Sequence, residues 1–258
     1  MSMSNLSSPY PTPAPPPAPK FAPLGRIANI FVAPANAFAE VKRLPAWWFP
    51  YLIAVVFGLL YGYTILHKIG VPTLVDGIIR QSPSLQDRIA GSTPPQAQAI
   101  RTAIASQTTI ALYVFPAVGS LIVGLIVAGV LLAAANFGAG GRATYGQMLG
   151  VWFYGALPLV LFFILVTIAV SAGLGGDQFN LKNPLGTNIG YYLMDGDSPK
   201  WLIALLSAVD LFAIWTALLV TLGVSAVAGI KRGAAAAIVF GGWFLWVLIA
   251  AGLATLGG

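Results

Sequence analysis

Asp210 is the residue of this chain whose type and position could do chemistry. It is the one charged side chain in an apolar run from Trp201 to Val220. A bilayer core about 30 Å thick takes roughly 20 helical residues, so a position about nine residues into the run lies near mid-depth. A carboxylate there costs about 2.5–3.5 kcal/mol to insert, and it therefore needs a partner or a function.

The residues around Asp210 predict what its carboxyl group faces. On a helical wheel, small and polar side chains share one direction, where another helix can approach closely: Ser207, Asp210, Ala213, Ala217, Thr221, Ser225 and Ala228. Ser207, Trp215 and Thr221 are the other polar candidates in this run. Such an acid either fastens helices through hydrogen bonds or carries a proton or cation. We favour fastening, because no second ionisable group lies in any run to build a relay.

The residue types that catalytic and metal sites need are scarce. His67 is the single histidine and cysteine is absent, which excludes histidine-rich and thiolate metal sites and cysteine nucleophiles. The motifs of zinc proteases, serine hydrolases and phosphate loops are lacking. The segment Asp195-Gly196-Asp197-Ser198 has too few ligands for calcium and is interpreted as a turn. We expect no catalytic residues, no metal and no cofactor.

Composition indicates a membrane protein. Hydrophobic residues make up 58% of the 258 positions and charged residues 8%, against about 25% charged in soluble domains. Pro116 and Pro158 lie inside apolar runs and predict kinks, which we assign to ordinary bundle packing in preference to a transport site. The predicted fold class is all-α, a polytopic membrane protein with five transmembrane helices over about 47–66, 109–135, 147–172, 201–227 and 234–256.

The residues before the first span divide into a tail and an amphipathic segment. Residues 1–25 are rich in proline and predict a disordered cytoplasmic tail, as a spacer more than a ligand for a proline-binding module. Over residues 26–44 apolar side chains recur at helical spacing, among them Phe31, Pro34 and Phe38. Because proline suits the first turn of a helix, two short helices are predicted. They lie either in the headgroup plane or packed against the bundle.

Basic residues in the connections predict the orientation. The link after span three carries three aspartates against two lysines. The short links after spans two and four carry Arg142, Lys231 and Arg232 with no acid, and Lys42 and Arg43 immediately precede span one. The positive-inside rule then places the amino terminus in the cytoplasm and the carboxyl terminus outside. The net charge of +6, without basic blocks interleaved with aromatics, favours anionic headgroups over nucleic acid as the partner surface.

The long link over residues 67–107 carries helical signals. Thr93 followed by Pro94 is typical of an N-cap and first turn, and the helix that starts there could run into span two. One apolar face is expected earlier in the link, formed by Leu74, Val75, Ile78 and Ile79. We expect extramembrane helical structure.

Several short patterns occur in a fixed order along the chain. They are Phe31-x-x-Pro34-x-x-x-Phe38 with Leu44-Pro45-Ala46-Trp47-Trp48-x-Pro50, Ala143-Thr144-Tyr145-Gly146-Gln147 leading to Ala156-Leu157-Pro158, Asn183-Pro184-Leu185-Gly186-Thr187-Asn188, and Asp210-x-Phe212-x-x-Trp215. Together they resemble bacterial members of the Yip family, membrane proteins named for interaction with Ypt/Rab GTPases. The resemblance covers residues 26–258 and implies a five-helix membrane domain with a cytoplasmic amino terminus. It supplies no catalytic residues.

The sequence leaves two function classes open. The leading hypothesis is a non-enzymatic scaffold or adaptor of the bacterial inner membrane, with the bilayer and a membrane or cytoplasmic protein as partners and with homo-oligomers left open. The alternative is a small transporter or channel that uses Asp210 and the kinked spans. An intramembrane enzyme is the weakest hypothesis, because no second acid is available for a carboxylate pair.

Overall fold

The computed structural model describes residues 23–176, 179–194 and 198–256. It confirms the all-α membrane fold, because these described residues are 82% helical and include five helices long and apolar enough to cross a bilayer. The described residues form no β-strand. The predicted tail lies almost wholly outside the described residues, as do positions 195–197 of the predicted turn.

Five helical segments qualify as spans: Trp48–Lys68, Pro94–Gly138, Tyr145–Ser171, Leu211–Ala228 and Arg232–Leu253. The helices in chain order are α1 (Pro23–Val32), α2 (Pro34–Arg43), α3 (Trp48–Lys68), α4 (Val71–Arg80), α5 (Pro83–Ala90), α6 (Pro94–Val114), α7 (Ser120–Ala133), α8 (Tyr145–Gly155), α9 (Leu157–Ser171), α10 (Lys200–Ala208), α11 (Leu211–Ala228) and α12 (Arg232–Leu256). π-Helical turns at Phe115–Gly119 and Ala134–Gly138 extend both ends of α7, and a 3₁₀ turn covers Ile189–Leu193.

The predicted kink at Pro116 takes the form of a π-helical turn between α6 and α7. Proline cannot donate to the carbonyl four residues earlier, and here that carbonyl, of Leu112, faces Gly62 of α3. A Cβ at Gly62 would lie 2.6 Å from the Leu112 oxygen, and one at Gly58 would lie 2.8 Å from the Pro116 ring. Spans one and two therefore meet backbone to backbone at two glycines spaced by four.

The third span has the irregularity predicted at Pro158, whereas the fourth span departs from the continuous helix that was predicted. Span three is interrupted at Ala156, so that Pro158 enters the first turn of α9 and is fully buried. The prediction of one helix over 201–227 is wrong, because the chain leaves helical geometry at Val209 and Asp210 and restarts as α11. The physical reason is that an aspartate side chain bonds the N–H groups of a new first turn better than it tolerates a helix interior.

The bundle has two ends with different coverings. The end that carries α1, α2 and the links 139–144 and 229–231 is called the N-terminal face. The end that carries α4, α5 and the link 172–199 is called the opposite face. At the N-terminal face α2 packs against α8 and α11. At the opposite face α4 packs against α6, and Asp76 of α4 pairs with Arg101 of α6 at 2.5 Å.

The link before span two confirms its helical signals. Thr93 and Gln96 form a reciprocal capping box at the start of α6, and that helix continues without a break into the membrane segment. The predicted apolar face of α4 is largely buried, with Leu74, Val75 and Ile79 below 9% exposure. Leu74 joins a core cluster with Tyr61 and Phe179, so α4 covers the end of the bundle.

The amphipathic residues 26–44 form two helices that pack against the bundle, which is one of the two placements left open. Pro34 occupies the first turn of α2 as predicted. Phe38 is fully buried, and its ring lies against Gly223 of α11, where a Cβ would come within 2.7 Å of it. Phe31 is half-buried and meets the ring of Trp215 edge-on at 5.5 Å.

Candidate functional site: a polar cluster at the break in the fourth span

Asp210 caps the amino terminus of α11. Its Oδ1 atom accepts hydrogen bonds from the backbone N–H groups of Phe212 at 2.8 Å and Ala213 at 3.4 Å. These N–H groups have no partner within the helix, and the positive end of the helix dipole adds to their attraction for an anion. The acid therefore lies at the end of the spanning helix α11 and not inside a continuous helix.

The second carboxyl oxygen of Asp210 holds the link between spans three and four. Oδ2 accepts a hydrogen bond from the Thr187 hydroxyl and one from the Asn188 amide at 3.4 Å. The backbone N–H of Leu211 donates to the carbonyl of Thr187 at 3.3 Å. Residues 188 and 210 also form an isolated antiparallel bridge. One carboxylate thus joins the link to the start of α11.

A pair of buried asparagines extends this cluster. Asn183 and Asn188 exchange two amide hydrogen bonds, at 3.0 and 2.8 Å, and both side chains are less than 10% exposed. The Asn183 amide also donates to the Ser207 hydroxyl at 3.2 Å, and the Asn188 carbonyl oxygen accepts from the Tyr191 backbone at 2.9 Å. Non-helical backbone is tolerated next to a bilayer when protein groups satisfy it in this way.

Hydrogen-bond donors of the protein surround the carboxyl group of Asp210. Every described contact of the Asp210 carboxyl oxygens comes from a donor, two backbone N–H groups and two side chains. Within the described residues no three histidine or acidic side chains converge as a metal site would require. The arrangement can anchor the link through hydrogen bonds, and among the described residues no second ionisable side chain contacts the Asp210 carboxyl group.

The structure brings together only part of the predicted site. Ser207 lies in the cluster with Asp210, as the wheel suggested. Trp215 instead packs against Phe31, and Thr221 is buried farther along α11 with no hydrogen-bond partner for its hydroxyl among the described residues. Asp210 is the N-cap of α11, and Trp215 and Thr221 lie about 7 and 16 Å farther along that helix, beyond the reach of the cluster.

Sequence reasoning missed three residues of the cluster, namely Thr187 and Asn188, which bond Asp210, and Asn183, which bonds Asn188. All three lie in the pattern Asn183-Pro-Leu-Gly-Thr-Asn188, so two asparagines flanking a turn-forming stretch were the available signal. It also missed a second polar cluster at the N-terminal face. There Arg26 of α1 and Glu40 of α2 approach to 3.6 Å between Nε and Oε2, with side chains only 2% and 7% exposed.

Arg26 connects three elements at the N-terminal face. One guanidinium nitrogen donates to the Leu44 carbonyl at 2.9 Å and to the Tyr154 hydroxyl at 3.4 Å. The guanidinium carbon also lies 5.7 Å from the centre of the Tyr154 ring, within cation–π range. A buried charge needs such a set of partners, because its desolvation is costly. The cluster fixes α1 to the end of α2 and to α8.

The helical bundle and its apolar spans define the chain as a polytopic helical membrane protein. The family model of the Yip1 domain matches residues 28–255. The chain therefore belongs to the Yip1 domain family, which confirms the resemblance noted from its sequence patterns. No curated protein and no solved structure matches the chain.

Proposed function

We propose that this chain is a non-enzymatic membrane scaffold or adaptor. The observation that supports this role best is that both oxygens of Asp210 are occupied by donors from the protein itself. A transport site needs a carboxylate whose ligands exchange with a passing ion or proton. In this chain the one acid of the apolar runs anchors a link between two spans.

The other irregular segments of the spans also pack against protein. The π-helical turn at Pro116 lies against Gly58, and the Tyr51 hydroxyl donates to the Ala117 carbonyl at 2.8 Å. Pro158 is fully buried. Broken helices of transporters line a cavity, whereas these breaks contact neighbouring helices. The transporter alternative therefore gains no support from the kinks.

The surface that we assign to a partner is the exposed side of α1 and α2. Leu24 and Val32, at either end of α1, are 71% and 80% exposed. The rest of the α1–α2 hairpin is fixed to the bundle by the Arg26 cluster and by the buried Phe38. A rigid helical hairpin with apolar side chains at its rim presents a preformed surface to a second protein. We infer that a membrane or cytoplasmic protein binds here.

A photo-crosslinking experiment tests this assignment. A photoreactive residue is placed at Ala39, exposed on α2, and the matched control is placed at Ala90, exposed on α5 at the opposite face. After irradiation of native membranes, the Ala39 probe should give one discrete adduct, identified by mass spectrometry and recovered again when that partner is the bait. Equal adducts from both positions, or none from Ala39, would contradict the adaptor surface.

A flux measurement on the purified protein tests the transporter alternative. Reconstituted into liposomes, the protein should show no flux of protons or common cations above that of empty vesicles. A reproducible flux that Asp210→Asn abolishes would reverse the ranking in favour of a transporter.

We propose an orientation with the N-terminal face in the cytoplasm of a bacterium and the carboxyl terminus outside. Among the described residues, the acid of the N-terminal face is Glu40, buried with Arg26, whereas the basic side chains of this face include Lys42, Arg142, Lys231 and Arg232. The opposite face mixes both signs. This asymmetry matches the positive-inside rule.

Cysteine labelling provides a topology prediction. The chain has no cysteine, so single substitutions can be made at Asn36 and Gly233 on the N-terminal face and at Ser92 and Lys182 on the opposite face. In sealed cells an impermeant maleimide should label only positions 92 and 182. Labelling of position 36 or 233 before lysis would invert the orientation, and lysed cells serve as the control for reactivity.

A further inference from the structure

The two short links of the N-terminal face lie side by side. The backbone N–H of Arg142 donates to the carbonyl of Ala228 at 3.1 Å, which joins link 139–144 to the end of α11. The ammonium group of Lys42 donates to the Ala226 carbonyl at 3.3 Å, which brings α2 to the same place. Cations distant in sequence therefore form one group, which we call the basic patch: Lys42, Arg142, Lys231 and Arg232.

The two links that carry the basic patch are held by hydrogen bonds from the side chains of Asn136 and Ser225. The Asn136 side chain both donates to the carbonyl and accepts from the N–H of Ala143, each at 2.9 Å. The Ser225 hydroxyl donates to the Ile230 carbonyl at 2.8 Å, immediately before Lys231. Because both links are fixed, the cations are preorganised in the absence of a ligand, and preorganisation lowers the entropy cost of binding.

The charges of the basic patch are available to a ligand. All four side chains are exposed, and none forms a salt bridge within the described part of the chain. The surface beside them is open, since a Cβ at Gly138 or Gly233 would meet nothing within 4 Å. A concentration of positive charge without a neighbouring acid attracts anions.

The position of the patch identifies the kind of anion. It lies where spans two and four end and span five begins, and span ends are where headgroups meet the hydrocarbon core. Phe137, in the π-helical turn that ends span two, is 91% exposed beside it. An exposed aromatic ring next to cations at a span end suits one ligand with an apolar and an acidic part.

We propose that the basic patch binds the phosphate headgroup of an anionic lipid, with Phe137 against the lipid's apolar portion. The binding is specific to this patch and not a general property of the protein's basic residues. Each cation near the surface contributes about a fivefold gain in affinity for anionic over zwitterionic lipid.

Native mass spectrometry of the full chain in detergent tests the proposal independently of orientation in a cell. Protein is equilibrated with equal amounts of phosphatidylglycerol and phosphatidylcholine, and retained lipids are counted. Wild type should retain phosphatidylglycerol preferentially. The variant R142Q/K231Q/R232Q should lose this preference, by about fivefold for each charge removed. The charge-preserving variant R142K/K231R/R232K should keep it, and melting temperatures confirm that each variant is folded.

The matched control removes three cations from the opposite face, as K68Q/R88Q/K182Q, and should retain the wild-type preference. Equal losses in both glutamine variants, or no preference in wild type, would overturn the proposal. Inorganic phosphate competing as well as phosphatidylglycerol would show a free-anion site instead, and specific binding of an acidic peptide without lipid preference would show a protein-binding surface; either result refutes the lipid assignment.

Discussion

Replacing Arg26 with alanine should lower the free energy of unfolding by about 3–5 kcal/mol. The substitution leaves the Glu40 side chain, 7% exposed, without the guanidinium 3.6 Å away, and removes the hydrogen bonds to Leu44 and Tyr154. Breaking a buried pair costs more than the pair contributes, because a charge stays behind in a medium of low polarity. Reversible unfolding in mixed detergent micelles gives the free energy.

An exposed ion pair in the same chain provides the control for Arg26. Arg101 and Asp76 form a shorter contact, 2.5 Å, but their side chains are 41% and 46% exposed. Arg101→Ala should therefore cost only about 0.2–1 kcal/mol. The double variant R26M/E40L, which removes both buried charges, should recover most of the stability lost by Arg26→Ala. If Arg26→Ala costs no more than Arg101→Ala, burial does not govern this pair.

Asp210→Leu should destabilise the fourth span strongly. It removes the cap of α11, which is worth about 0.5–2 kcal/mol, and leaves the half-buried Thr187 hydroxyl without its acceptor, at up to about 1–3 kcal/mol. The Asn188 amide keeps its hydrogen bond to Asn183. Asp210→Asn keeps an acceptor for the N–H groups of Phe212 and Ala213 and should lie between wild type and leucine. Hydrogen exchange should show faster opening of residues 183–193 in the leucine variant.

Thr221 provides the matched control for Asp210. It is buried in the same helix, yet its hydroxyl has no partner among the described residues, so Thr221→Val should change the free energy of unfolding by less than about 1 kcal/mol. An Asp210→Leu variant as stable as wild type would show that the polar cluster does not hold the link.

The sequence predicted the spans because a bilayer imposes a simple rule on length and polarity. Runs of apolar residues located all five spans, and proline placement located the start of α2 and the irregular turn at Pro116. Helix ends were harder. The same apolar residues flank Asp210 on both sides, so nothing in local composition distinguished a helix interior from a capped break.

The polar contacts could not be predicted because they join distant residues. Asp210 meets Thr187 and Asn188 across a link of more than twenty residues, and Arg26 reaches Glu40 only after Pro34 has turned the chain back on itself. Polar positions on an amphipathic helix usually face water, but Glu40 is buried because the bundle covers it. Tertiary packing decides such cases.

The capped break at Asp210 also limits the length of the spanning helix α11. Because Asp210 ends α11, that helix has 18 residues and a length of about 27 Å, whereas the other four spanning segments have 21 or more. Longer helices adapt to a thin bilayer by tilting, but a short one requires the lipid to thin around it. We therefore expect the protein to be more stable in thinner bilayers, and Asp210 sets this expectation because it ends α11.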